Sequence, residues 1–127
     1  MDRRDDRELL EAAKENVAML YGWHRLDHAD SRQFYARDRR GRILWLKART
    51  KYDGQSPSWD WTNERVPYDD LIGILISPTG DLLLVMRASR ELVEKRKAIN
   101  KESYRFRWNA ENAALVEILW TVEPFDL

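Results

Sequence analysis

No cysteine occurs in the 127 residues, which removes disulfide staples, thiolate nucleophiles and cysteine-based zinc sites together. Small secreted domains usually need staples, so the composition points to an intracellular, cytoplasmic setting. Histidine is scarce: only His24 and His28 are present. Their i, i+4 spacing would let a helix share a metal between them, but Gly22 precedes them and the stretch to Asp30 reads as loop, so no metal is assigned there. Long apolar runs are lacking too. The longest, Leu71–Ile76, is far short of a membrane span, and no membrane partner is expected. The start, Met1-Asp2-Arg3-Arg4-Asp5-Asp6, has no apolar run behind it and does not read as a signal peptide. There is no Walker-type loop, no glycine-rich dinucleotide turn, no HExxH pair and no serine in a recognisable nucleophile setting. No repeat, linker or low-complexity tract divides the chain, so residues 1–127 read as a single domain.

What is present is a core-forming share of apolar residues, 43%, and six tryptophans. Some of these rings belong in the core and some are expected to mark a contact surface. Net charge is zero, yet the charges are segregated. Between Arg32 and Lys51 stand eight basic residues and one acid, Asp38; between Arg87 and Arg107 stand eight more basic residues against Glu91, Glu94 and Glu102. Acids gather in the first eleven residues, in Asp53–Asp70 and after Glu111. Such a pattern fits solvated faces that neutralise one another, a polyanion-binding face, or a charge-matched protein interface.

Along the chain, Leu9, Leu10, Ala13, Val17 and Leu20 recur at helical spacing and predict a helix over Asp6–Tyr21, stopped by Gly22. Gln33–Arg37 reads as a strand, Asp38–Gly41 as a tight turn, and Arg42–Arg49 as the returning strand of a hairpin. That strand is apolar on both faces, with Ile43 and Trp45 on one and Leu44, Leu46 and Ala48 on the other, which predicts a central position. Lys51–Tyr68 reads as a long polar loop carrying Trp59-Asp60-Trp61. Leu71–Ser77 and Asp81–Arg87 form a second hairpin around Ser77-Pro78-Thr79-Gly80. Ser89 caps a short helix to about Lys97. Tyr104, Phe106 and Trp108 alternate with arginines as a strand. Asn109 reads as the cap of a last helix, Ala110–Trp120, buried through Ala114, Leu115, Ile118 and Leu119, with a strand over Leu115–Val122 as the alternative. The expected class is α/β (α+β): a central mixed sheet of about five strands flanked by helices. Asp69-Asp70, at the mouth of the most apolar strand, reads first as strand-end capping.

The stretch Tyr35-Ala36-Arg37-Asp38-Arg39-Arg40-Gly41-Arg42-Ile43-Leu44-Trp45-Leu46-Lys47-Ala48-Arg49 resembles the core hairpin of PD-(D/E)XK, or restriction-endonuclease-like, proteins. There an acid opens the first strand, a glycine turn follows, and the second strand ends in acid-x-Lys. Val66-Pro67-Tyr68-Asp69-Asp70-Leu71-Ile72-Gly73-Ile74-Leu75-Ile76 is similar to the next strand of small members, and Val85-Met86-Arg87-Ala88-Ser89-Arg90-Glu91-Leu92-Val93 to the strand and short helix after it. The likeness covers roughly Glu8–Trp120 and lies in element order and hydrophobic pattern. It implies a restriction-endonuclease-like core. In that family two carboxylates and a lysine surround a divalent metal that activates water at a phosphate. Carried over, Lys47 matches the lysine, and Glu15 or Glu11 an acid of the first helix. Trp45 stands where the acid of acid-x-Lys belongs and Tyr35 near the place of the first acid; neither offers the carboxylate oxygens that Mg²⁺ wants. Asp30, Asp38 or Asp53 would have to substitute.

The resemblance therefore implies a nuclease-like domain without catalysis, in a defence, repair or mobile-element system. It would bind nucleic acid or a protein through Lys47, Arg49, Lys51, Arg39, Arg40 and Arg42, with Trp59 and Trp61 stacking on bases. Lys47 also reads as an ordinary strand-end lysine with a packed stem, and the two tryptophans as pins for a long loop. Two other readings stand beside this one. The first is a protein-binding module or small homodimer without nucleic acid. The second is a divergent nuclease using Mg²⁺, with Lys47, Glu15 and Asp38 at its centre. No cofactor is expected in the preferred case.

Overall fold

In the computed structural model the described residues are 3–27, 33–62, 67–101 and 103–122. His28, Asp30, Arg32, Val66 and Glu102, all used in the sequence reading, lie outside them. The first helix, α1 (Arg3–Tyr21), starts earlier than its apolar pattern but ends where expected. Gly22 takes φ +71°, donates its N–H to Met19 O at 3.1 Å, and lets Trp23 N–H reach Ala18 O at 2.8 Å. These two bonds satisfy carbonyls that the helix end would otherwise leave open. Ala13, Val17 and Ala18 are buried against the sheet.

The chain then enters β1 (His24–Leu26), in a stretch expected to be loop. Three residues are too few to show a period, and pairing with β2 (Phe34–Arg37) makes them a strand. The predicted hairpin is present: β2 runs antiparallel to β3 (Ile43–Thr50). Its turn is built by Asp38, whose Oδ1 accepts the N–H groups of Arg40 and Arg42 at 2.9 and 3.0 Å. β3 is central and buried on both faces, as its two-sided pattern predicts.

Two expectations are corrected. The long polar loop contains β4 (Ser58–Trp61), whose tryptophans point into the core. The last helix is a single turn, α3 (Ala110–Ala113), and the chain continues as β9 (Glu117–Thr121). Leu115 and Ile118, expected to be buried, are 53% and 41% exposed. The stretch is rich in β-branched and aromatic residues, and the open edge of β6 (Leu82–Ser89) offers it hydrogen-bond partners that a helix face could not match.

Between these elements lie β5 (Asp70–Ile76), α2 (Arg90–Arg96), β7 (Ala98–Asn100) and β8 (Ser103–Arg107). Ser89 caps α2, its hydroxyl accepting from Leu92 N–H at 3.2 Å, and Asn109 caps α3, both as read from sequence. The architecture is α+β. The central mixed sheet has six strands, in the order β1-β2-β3-β5-β6-β9. β3 and β5 form its parallel pair; the other neighbours are antiparallel.

Only one face is covered in the expected way, by α1. The other packs on a second sheet, β4-β8-β7. Its inner face, Trp59, Trp61, Phe106 and the following Trp108, meets Tyr35, Trp45, Leu71 and Leu75 of the large sheet. Gly73 sets how closely the layers approach. A Cβ there would lie 2.5 Å from Met86 Cε and 2.7 Å from Trp59 Cζ2. With hydrogen in that place, the Trp59 indole lies on β5 and donates Nε1–H to Ile74 O at 3.1 Å.

Candidate functional site

The basic run of the hairpin is divided by the strand that carries it. β3 rises about 3.3 Å per residue, so Arg42 and Lys51 stand roughly 30 Å apart. Arg39, Arg40 and Arg42 lie at one end, and Lys47, Arg49 and Lys51 towards the other. The single patch expected from sequence is therefore two sites.

At the turn end, the parallel register sets Asp70 opposite Leu44, and Arg87 of β6 comes alongside. Asp70 is buried. Arg42 grips its carboxylate with both teeth of the fork, Nε to Oδ2 at 3.0 Å and Nη2 to Oδ1 at 3.1 Å. Arg87 adds Nε to Oδ2 at 2.8 Å and ties the hub to the turn through Nη2 to Asp38 Oδ2, also 2.8 Å. Charge-assisted forks of this kind are strong and directional. Burial alone would raise the Asp38 carboxyl, but the bonds from Arg87 and from the amides of Arg42 and Arg40 hold it below its ordinary value. Asp69 does the strand-end capping expected of it, Oδ2 accepting Ile43 N–H at 2.7 Å. Asp70 does something else: it neutralises two arginines. Arg39 and Arg40, on the turn itself, are exposed.

At the other end, alternation puts Lys47, Arg49 and Lys51 on the second-sheet face of the strand line. Lys51 continues the ladder by donating its N–H to Ile76 O at 2.9 Å. The Lys47 ammonium sits 4.9 Å from the centroid of the Trp45 ring and has no hydrogen bond or ion pair among the described residues. Burial pushes it down to about 8; the positive field of Lys14 adds to that shift, and Asp60 opposes it. Asp60 projects from β4, with Arg49 Nη1 and Arg105 Nε each 3.9 Å from its oxygens. Both distances exceed hydrogen-bond length. The closest bond to this carboxylate is neutral, Ser58 Oγ to Asp60 Oδ1 at 2.7 Å. Three cations thus share one loosely engaged acid.

The residues of a metal-dependent nuclease are not brought together. Asp38 lies about 16 Å from Lys47 along β3. Glu15 is exposed and faces Arg25 at 3.3 Å, Glu11 bonds Lys14 at 2.6 Å, and Asp53 is exposed beyond β3. Among the described residues, no three His, Asp or Glu side chains are placed to hold a metal ion, so the donor set does not fit Mg²⁺. The stacking role for Trp59 and Trp61 is also corrected. They are 1% and 5% exposed, and Trp61 stands edge-on to Trp45 with centroids 5.6 Å apart; neither ring is open to a base. Among the described residues, no helix is long and apolar enough to cross a membrane.

Asp60, Arg87 and Arg105 were missed in the sequence reading. Arg87 did leave a signal, a charge interrupting the apolar run Leu82–Met86. Asp60 and Arg105 left none, because their nearness depends on pairing between β4 and β8. Compared with known proteins, the chain matches no family model and no curated protein.

Proposed function

We propose that this domain binds nucleic acid through backbone phosphates laid along the row Lys47, Arg49 and Lys51, with Arg105 beside it. The observation that carries this reading is the Lys47 ammonium, desolvated against Trp45 and without an ionic partner among the described residues. A buried cation left unpaired costs stability, and an arriving anion removes that cost. Alternate residues of a strand stand about 6.6 Å apart, so the row offers three positive charges over about 13 Å to a line of phosphates. Contacts of this kind position a nucleic acid without reading its sequence. The hairpin resemblance supports the same reading. Where the PD-(D/E)XK pattern has a metal-binding acid before the lysine, this chain has the ring on which the lysine rests. The reading is of a binding domain rather than a nuclease.

The test is fluorescence anisotropy with single-stranded and duplex oligonucleotides over a range of salt. Three phosphate contacts on a single strand give a slope of log K against log[salt] of about −2, and each of Lys47→Ala, Arg49→Ala and Lys51→Ala removes about 0.7 of it. Absence of binding at low salt, or slopes indifferent to all three substitutions, would sink the proposal.

A protein-binding reading has its own observation. β9 is an edge strand, and Ile118 and Trp120 on it are 41% and 38% exposed. An open apolar edge is a template for strand pairing with another chain. Light scattering would show a concentration-dependent dimer that Trp120→Lys abolishes; a monomer at all concentrations, with no protein partner retained, would remove this reading.

A further inference from the structure

Beside the Asp70 hub lies a cleft of about 780 Å³ whose walls include Tyr21, Trp23, Arg39, Arg40 and Glu117. It sits at the opposite end of β3 from the Lys47 row and is built from different elements: the end of α1, the β2–β3 turn, and the ends of β6 and β9. Its volume is that of a small-ligand site.

The cleft has more hydrogen-bond donors than acceptors. The two oxygens of Asp38 are taken by Arg87 and by the amides of Arg40 and Arg42. Those of Asp70 are taken by Arg42 and Arg87. Among the described residues each of those arginines bonds through Nε and Nη2, which leaves its Nη1 group to spare. Among the described residues, the Tyr21 hydroxyl, the Trp23 indole N–H and the guanidiniums of Arg39 and Arg40 have neither hydrogen bond nor ion pair. Four guanidiniums line the cleft against three carboxylates, and among the described residues Glu117 is the carboxylate of the three that accepts no hydrogen bond, while every oxygen of the other two accepts at least one.

Part of the lining is aromatic. Tyr21 and Trp23 are stacked, with centroids 4.9 Å apart and planes 18° from parallel. A Cβ on Gly22, between them in sequence, would sit 3.8 Å from Arg39 Nη2, so that guanidinium lies against the same turn. Unmatched donors with net positive charge suit an oxyanion, and a flat ring beside them suits a planar group.

We propose that this cleft binds a phosphomonoester carrying a planar ring, of the nucleoside monophosphate type, with Arg39 and Arg40 on the phosphate and Trp23 along the ring. The phosphate brings a charge of about −1.5 to −2 near neutral pH and three acceptor oxygens, which matches the surplus. The turn that carries Arg39 and Arg40 is held by the backbone bonds of Asp38, so both side chains can be changed without disturbing the hub.

Isothermal titration with adenosine 5′-monophosphate, inorganic phosphate and adenosine tests the assignment. The monophosphate should bind tightest, phosphate more weakly and adenosine least. Arg39→Gln with Arg40→Gln should weaken the monophosphate at least tenfold, and Trp23→Leu should bring it down to the level of inorganic phosphate. The double arginine variant should leave the melting temperature within a degree or two of wild type. Equal binding of monophosphate and adenosine, no binding at millimolar concentration, or affinity unchanged in the double variant would each overturn the proposal. A 5′-phosphorylated oligonucleotide competing no better than the monophosphate marks a free nucleotide as the source of the phosphate; competition by a hydroxyl-ended oligonucleotide would overturn it. Repeating the titration in Lys47→Ala/Arg49→Ala/Lys51→Ala separates this site from the row on β3: binding here should survive that change, and its loss would overturn the assignment. Failure at this cleft would leave the phosphate reading of the row untouched.

Discussion

Replacing Lys47 with methionine should make the protein more stable at neutral pH and weaker at binding nucleic acid. Methionine keeps an unbranched stem beside Trp45 and makes favourable sulfur–aromatic contacts, while the ammonium, which has no ionic partner among the described residues, is removed. The size of the effect follows from the displacement of Lys47 from an ordinary value of 10.5 to about 8. A full displacement of that size corresponds to about 3.4 kcal/mol, and residual solvent screening of a group that is largely but not wholly buried reduces it to about 1–2 kcal/mol. The sign is fixed by linkage. In the folded protein Lys47 gives up its proton more readily than in the unfolded chain, so the unfolded state binds more protons between pH 8 and 10.5. Wild-type stability therefore gains on the variant as pH rises through that window. The penalty is complete below pH 8 and gone above 10.5. Urea unfolding of both proteins at pH 7 and pH 9.5 gives the measurement. The methionine variant should lead by about 1–2 kcal/mol at pH 7 and by much less at pH 9.5. A lead that does not change with pH, or a variant less stable at pH 7, would refute the reasoning.

Other expectations follow from the core and the hub. Gly73→Ala should cost about 1–3 kcal/mol, read by thermal unfolding, because its methyl would overlap Met86 and Trp59. Asp70→Asn removes the charge that Arg42 and Arg87 share and should cost about 3 kcal/mol in urea; a loss below 1 kcal/mol would show that the arginines find solvent readily. Asp38 is held below its ordinary value, so its contribution is present above about pH 4 and is lost as the pH falls through its folded-state value. Acid unfolding of Asp38→Asn should accordingly be shallower than that of wild type.

Local signals carried much of the fold. Gly22, the Asp38 turn and the Ser89 cap are decided within a few residues, and each stands where its chemistry puts it. The two-sided apolar pattern of Arg42–Arg49 gave away a central strand. β4, β7 and β9 were harder because each is five residues or shorter and becomes a strand only beside a partner distant in sequence. For β9 the apolar spacing reads first as a helix, with a strand as the alternative, and the open edge of β6 decides for the strand. Among site residues, Lys47 stood out as the charge within an apolar strand. Its lack of a partner did not, since that depends on where β4 carries Asp60. The splitting of the basic run follows from strand rise alone. The Asp70 hub required the parallel register of β3 and β5, which no local pattern encodes.

The second sheet has a consequence for synthesis. β4 leaves the large sheet between β3 and β5, while its partner β8 comes from the connection between β6 and β9. Trp59 pairs with Phe106, and Trp61 with Tyr104. A chain emerging from the ribosome amino end first therefore presents Trp45, Trp59 and Trp61 well before the residues that enclose them have been made. During that interval the nascent protein carries an aromatic surface that only later translation, or a chaperone, can cover.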